Sequence, residues 1–430
     1  MANRTLRRRR PDKPRLLAHR ILGAVTQRDA YANLETARVL AEARPEARDA
    51  AFVTELVAGT CRLLGTYDRI LAAASGRDSF DPALADALRL GAHQLLSMRV
   101  GHHAAINTTV DLAAATVGEK VAGLTNAVLR KVAARDLDAW VEHLSQNEDA
   151  LGRLALRTHH PRWIAQAYFD LLGDEAELAL AANNVPPVPT LVVRPGLAEV
   201  AELDGEPTTR SPYGAKRPGN PADLAAVREG RAGVQDEGSQ LVALALANAD
   251  APVGPWLDLC AGPGGKAALL AGLAIQNAAT LLASELQPHR AELVAQALRA
   301  YDGPHRPAVI AADGTRPAWA SGSFAKVMAD VPCTGLGALR RRPEARWRRT
   351  PEHLAQLVPL QRALLTSALD SAVPGGVVAY VTCSPHREET TGVVDAVVAT
   401  RDDVERISTT QLWPHRDGTD AMFCALMRRR

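Results

Sequence analysis

Asp258-Leu259-Cys260-Ala261-Gly262-Pro263-Gly264-Gly265-Lys266 is the stretch that decides the fold. An apolar run, 256–260, enters a glycine turn, and Ala267, Leu269 and Leu270 open a helical pattern behind it. Glycine lets the backbone adopt positive φ and approach a ligand closely. The helix that follows offers unpaired N–H groups at its start. In doubly wound sheets such a turn lies at the carboxyl end of a strand, where ligands bind. Gly262, Gly264 and Ala267 also satisfy G-x-G-x-x-G/A, a pattern that alone is weak evidence for a dinucleotide.

Around this turn, short apolar runs alternate with helical patterns: 281–285, 308–312, 325–329 and 376–382, with 404–407 and 422–427 as final candidates. Alternation of this kind predicts βα units and a mostly parallel sheet. Three acids stand at successive strand ends: Asp258, Glu285 (20 residues after Gly265) and Asp313. An acid at the second position can accept hydrogen bonds from a ribose diol, and Asp313 is suited to an adenine amino group. Singly, each reads as a solvated strand end. As a set they suit a ligand with one nucleoside and no pyrophosphate. S-adenosylmethionine is such a ligand, and its sulfonium cation favours nearby carboxylates.

Five cysteines, Cys61, Cys260, Cys333, Cys383 and Cys424, include no C-x-x-C pair, which argues against a zinc ribbon or a thioredoxin-type motif. Cys333 follows the fourth run in Asp330-Val331-Pro332-Cys333-Thr334-Gly335, and Cys383 the fifth in Tyr380-Val381-Thr382-Cys383-Ser384-Pro385. Adjacent strands are about 4.8 Å apart, so side chains leaving two neighbouring ends can converge. A lone cysteine is usually a small core residue, which is the reading for Cys61 and Cys424. A disulfide between Cys333 and Cys383 is geometrically possible, but a reducing compartment disfavours it.

At 430 residues the chain has room for roughly three domains. Its 47% apolar and 23% charged content is that of a soluble globular protein and excludes a disordered chain, a collagen-like repeat and a disulfide scaffold. A net charge of +2 says nothing about partners. No apolar run approaches the roughly 18 residues that span a bilayer. The arginines at 4 and 7–10 have no apolar core behind them, so no secretory signal is expected and the cytoplasm is. The His102-His103 and His159-His160 pairs lack metal-ligand spacing, and no metal is expected. The expected parts are a basic tail over 1–14, an all-α bundle over 15–145, a small α+β connecting region over 146–233 with a strand at 191–193, and an α/β Rossmann-like domain over 234–430.

CAGPGGK at 260–266, DVPCTGLG at 330–337, RRRPEARWR at 340–348, TCSPHREET at 382–390 and QDEGSQ at 235–240 together resemble the RsmB/Nop/Sun family of RNA cytosine-5 methyltransferases. AFVTELVAGTCR at 51–62 and NAVLRK at 126–131 more loosely resemble the NusB-like RNA-binding domain of its RsmB branch. Gly262 stands where the family often has Ala, Ala267 where Thr is common, and Glu285 where Asp is common. The resemblance implies S-adenosylmethionine as cofactor, held by Cys260, Ala261, Gly262, Pro263, Gly264, Gly265, Lys266, Glu285, Asp313 and Asp330. It implies Cys383 as the nucleophile on C6 of cytosine and Cys333 in product release. Asp330 would hydrogen-bond the pyrimidine, and Lys266 would support the site. The implied substrate is a cytosine of small-subunit ribosomal RNA, with no DNA or membrane partner and a monomeric protein.

Arg340, Arg341, Arg342, Arg346, Arg348 and Arg349 crowd around Trp347. They read either as a phosphate-binding ridge beside a flipped base or as a loop paired with acids such as Glu344. Their position directly after the Cys333 motif favours RNA contact by Arg340, Arg341, Arg342, Arg346 and Arg348. Three rival functions remain open: a noncatalytic RNA-binding factor, a DNA cytosine-5 methyltransferase using the Pro-Cys thiol as nucleophile, and a dinucleotide oxidoreductase. Both cysteine motifs weigh against the first, Thr-Cys-Ser-Pro against the second, and only the glycine pattern supports the third.

Overall fold

The structure is a computed structural model that describes residues 11–430. Most of the expected tail therefore lies outside the described residues. The chain forms two compact units: one runs to Asn184 and includes Leu339–Arg348, and the other holds Val185–Ala338 and Arg349–Arg430. The units part at 184, away from the boundaries expected at 145 and 233.

The first unit contains helices and no strand among the described residues. Asp81 caps Pro82–Leu96, its Oδ1 accepting from Ala83 N at 3.0 Å. An Asp cap with a nearby proline also starts the first described helix: Asp12 Oδ1 accepts from Arg15 N at 2.9 Å and Pro14 sits in the first turn of Lys13–Arg28. The helix thus begins two residues inside the stretch expected to be tail. Leu84, Leu88 and Leu95 bury one stripe against Val53, Leu56 and Val57, each fully buried leucine being worth about 1.5–3 kcal/mol. Gly91 shares that stripe because its neighbours leave no room: an added Cβ would lie 2.8 Å from Thr109 Cγ2.

The second unit contains two sheets. A small antiparallel one has the order Glu206–Pro207, Gly214–Lys216, Thr190–Val193, Ala232–Val234. The large one has seven strands: β1 Trp256–Asp258, β2 Leu281–Glu285, β3 Ala308–Ala311, β4 Phe324–Asp330, β5 Ala372–Thr382, β6 Val404–Gln411 and β7 Phe423–Arg429. Their order is β6-β7-β5-β4-β1-β2-β3, with β1 to β5 parallel and β7 antiparallel to both neighbours. This is the Rossmann-like sheet read from the sequence, closed by an antiparallel pair. Strand order reverses between β1 and β4, so the carboxyl ends of these two strands flank the crevice of a doubly wound sheet. No helix among the described residues is long and apolar enough to cross a membrane.

Candidate active site

The glycine turn leaves β1 at Asp258 and enters the helix Gly265–Gln276. Gly264 has a φ of 106°, open to glycine and strained for other residues, and a Cβ there would lie 2.7 Å from Ala297 Cβ. Gly262 donates its N–H to Glu285 Oε2 at 3.0 Å, and a Cβ on Gly262 would sit 2.1 Å from that oxygen. The longer acid at the end of β2 and the missing methyl in the turn therefore fit one another. Glu285 Oε1 accepts from Gln287 N at 3.1 Å. Arg290, which the sequence reading passed over, donates to Gly262 O at 2.8 Å and lies 3.6 Å from Glu285 Oε2. Asp313 lies just beyond β3 and is exposed; Thr315 donates to its Oδ1 through Oγ1 at 2.7 Å and N at 2.9 Å, which holds the carboxyl below its usual range.

Asp258 is 1% exposed, and neither carboxylate oxygen has a hydrogen-bond partner. Burial, and then the charge of Asp330, push its pKa up to about 7. An orphaned acid beside the turn fits a polar or cationic ligand group there. Lys266 donates to Asp330 Oδ2 at 2.8 Å. Burial works against the lysine's charge, but Asp330 outweighs it and Cys383 adds to the effect, so Lys266 stays above its usual range.

Cys333 and Cys383 leave the ends of β4 and β5 and bring their sulfurs to 3.4 Å. Both are free thiols and half-buried. Cys333 is held well above the usual thiol range, first by its hydrogen bond to Cys383 and then by burial. Either sulfur can be the donor in that contact. Lys266 also interacts electrostatically with Cys383. The arrangement can thus present one nucleophilic sulfur with a second thiol beside it. Cys260 is also held well above the thiol range, by burial and then Asp258.

Asp258 yields a pH dependence of stability. Its folded pKa of about 7 lies above the ordinary aspartate value of 3.8, so its stabilising effect is complete below the lower value and lost as pH rises through the higher one. The ligand-free protein is expected to lose on the order of a few kcal/mol across that window through this group. Urea unfolding from acid to neutral pH should show a shallower decline for Asp258→Asn; parallel profiles for variant and parent would remove Asp258 as the cause.

The arginine segment departs from its expected role. Arg346 is fully buried in the helical unit and donates to His159 O at 2.9 Å, Asn184 Oδ1 at 2.7 Å and Asn183 O at 3.1 Å. Arg348 donates to Ala30 O at 2.6 Å, Asp29 O at 3.0 Å and Val25 O, serving the carbonyls that end the helix Lys13–Arg28. These two are not available as phosphate ligands, because backbone carbonyls already hold their guanidinium groups. Trp347 Nε1 donates to Cys61 O at 2.9 Å, and its ring lies where a Cβ on Gly65 would be. Glu344 accepts from Ala32 N at 3.2 Å instead of pairing with the arginines. Arg342 is exposed, 5.4 Å over the Tyr31 ring, and Arg340 and Arg341 are half-buried. Arg349 belongs to the other unit and donates to Thr334 O at 3.2 Å.

Comparison with known proteins adds the following. Residues 241–428 match the family model described as 16S rRNA methyltransferase RsmB/F, and residues 12–134 match the NusB family. A Mycobacterium tuberculosis protein that carries a methyltransferase name is 48% identical, over 98% of each chain. The ribosomal RNA small subunit methyltransferase B of Pseudomonas syringae is 32% identical, over 90% of this chain and 86% of its own. A crystal structure titled PH0851 superposes with a TM-score of 0.82 over 98% of this chain and all of its own, at 22% identity, a likeness of fold.

Proposed function

The chain belongs to the RsmB/F family of S-adenosylmethionine-dependent rRNA methyltransferases, and on that premise we propose that it methylates C5 of a cytosine in small-subunit rRNA through a covalent bond between Cys383 and C6. The observation that carries this reading is the pair of sulfurs 3.4 Å apart beside the Lys266–Asp330 ion pair.

C5 of cytosine is a poor nucleophile. Addition of the Cys383 thiolate to C6 makes it electron-rich. Lys266 and the Cys333 thiol stabilise that thiolate before attack. Asp330 Oδ2 is engaged by Lys266, and its other oxygen is the one to meet the pyrimidine edge around N3 and the exocyclic amine. Once C5 carries the methyl group, its proton leaves to a base and the C6–S bond breaks. The electron pair returns to Cys383, where the Cys333 thiol again donates to it. Bound S-adenosylmethionine supplies the methyl group on its sulfonium. The residues that would hold it are the turn 260–266, Glu285 and Asp313, with Asp258 as a further acid at the same turn. The NusB-like helices are proposed to contact RNA, with the exposed Arg342 as a contributing arginine.

The test is nucleoside analysis of small-subunit rRNA after incubation with this protein and methyl-labelled S-adenosylmethionine. Label in 5-methylcytosine is expected; label in another nucleoside, or none in RNA, overturns the reading. For the cofactor, calorimetry on Glu285→Ala should show affinity weakened by about 1–3 kcal/mol, the range for losing a hydrogen bond to a charged group. Unchanged affinity removes Glu285 from the site, and tight NADH binding removes the cofactor assignment.

A further inference from the structure

We propose that Glu389 is a positioning residue for Cys333, fixing the backbone on both sides of that thiol so that adduct release, and not adduct formation, depends on it. The role rests on the covalent mechanism proposed above. Glu389 lies in the turn Arg387–Glu389, six residues past Cys383, and is fully buried. Its Oε1 accepts from Thr334 N at 2.8 Å, and its Oε2 from the Thr334 hydroxyl. Oε1 also accepts from Gln361 Nε2 at 3.0 Å, and the same amide nitrogen donates to Pro332 O at 2.9 Å. Pro332 and Thr334 are the residues either side of Cys333. One carboxylate therefore holds the following residue directly and the preceding one through Gln361, itself fully buried.

The residue type follows from the neighbours. Every group that meets the Glu389 carboxylate is a donor: an N–H, a hydroxyl and an amide NH2. Only an ionised carboxylate offers acceptors on both oxygens, whereas a glutamine would turn an NH2 against one of these donors. No cation pairs with Glu389 among the described residues, so three hydrogen bonds alone compensate a charge in the interior. A buried carboxylate is costly to keep in that form, which makes a merely space-filling role a poor account of it. The Cys383 side is held mainly by other bonds, and touches this network where the Thr334 hydroxyl lies 3.2 Å from Ser384 Oγ. Gly337 N donates to Cys383 O at 2.9 Å, and the Tyr380 hydroxyl reaches the backbone carbonyl of Glu389, not its carboxylate, at 2.8 Å. Loss of the carboxylate should therefore loosen Cys333 far more than Cys383.

The experiment measures adduct formation and adduct resolution separately, by quench on denaturing gels, with full-length protein, rRNA and S-adenosylmethionine. Glu389→Gln should form the adduct at close to the parent rate and resolve it about tenfold more slowly, the factor that one hydrogen bond to a charged group represents. Thr334→Val removes one donor and leaves the carboxylate, so it should move in the same direction by less. It also serves if Glu389→Gln does not fold. The double variant Cys333→Ala/Glu389→Gln should resolve no more slowly than Cys333→Ala alone, because both act through one thiol. Formation and resolution slowed alike, or a double variant slower than Cys333→Ala, overturns the role. Adduct that persists in Cys333→Ala but is resolved normally in both Glu389→Gln and Thr334→Val overturns this role alone. No adduct even in Cys333→Ala overturns the covalent mechanism and this role with it.

Discussion

Cys383→Ala is expected to abolish methylation and to leave no covalent RNA species, whereas Cys333→Ala is expected to accumulate one. The two thiols are 3.4 Å apart, yet their environments differ. Cys333 is held well above the usual thiol range by its contact with Cys383 and by burial, and Lys266 interacts with Cys383. In the proposed mechanism attack belongs to Cys383. Without it, C5 is not activated, and turnover should fall by many orders of magnitude, as for loss of a covalent nucleophile. Without Cys333, attack can proceed while the expelled sulfur lacks its donor, so the protein–RNA species should persist on denaturing gels. The reverse pattern, adduct in Cys383→Ala and none in Cys333→Ala, would make Cys333 the nucleophile, the role the Pro-Cys thiol has in the DNA enzymes. Turnover retained by both variants would reduce the pair to strand-end packing.

Arg346→Ala is expected to destabilise the helical unit by about 3–5 kcal/mol, the sum of a large-to-small cavity and of acceptors left without donors. The side chain is fully buried, and its three acceptors, His159 O, Asn183 O and Asn184 Oδ1, are neutral. Burial, and then the nearby Arg62, lower its pKa to about 9, so even the guanidinium is held under strain of charge. Lysine is a poor replacement because a single ammonium cannot reproduce the fork that meets three oxygens. Arg342→Ala provides the contrast: its exposed cation–π contact is worth about 0.5–1 kcal/mol. Urea unfolding of the two variants separates the assignments. A phosphate ligand at 346 would show unchanged stability and weakened RNA binding; the buried clamp shows lost stability.

The central strands β1, β2, β4 and β5 were legible because they are largely buried and so read as apolar runs, whereas β3 and β6 are largely exposed. β5 begins at Ala372, four residues before the run read from the sequence, because Pro374-Gly375 has turn composition. The glycine turn and the two cysteine motifs were legible as local strings. Whether a string faces a ligand or a core is decided by residues distant in the chain, and there the reading fell short. RRRPEARWR looks the same whether its arginines meet phosphates or helix-end carbonyls more than 150 residues earlier. Asp258 was visible as a strand-end acid, but only the unpartnered burial of both oxygens sets it apart from a solvated one. Glu389 sits in a short turn with no periodicity, and its donors come from two other segments, so no window around it could reveal its place beside Cys333.

Synthesis runs from the amino end, so the helical unit leaves the ribosome before Leu339–Arg348, the ten residues that complete it, have been made. Until they arrive, the His159 and Asn183 carbonyls lack their donor, and the space beside Gly65 lacks its indole. Strands β1 to β4, with the glycine turn and Asp330, are all translated in the interval. The bundle therefore reaches its full stability after most of the catalytic sheet exists. A nascent chain that stops short of residue 348 carries an unfinished bundle and no Cys383, the kind of partly packed product that cellular proteolysis removes.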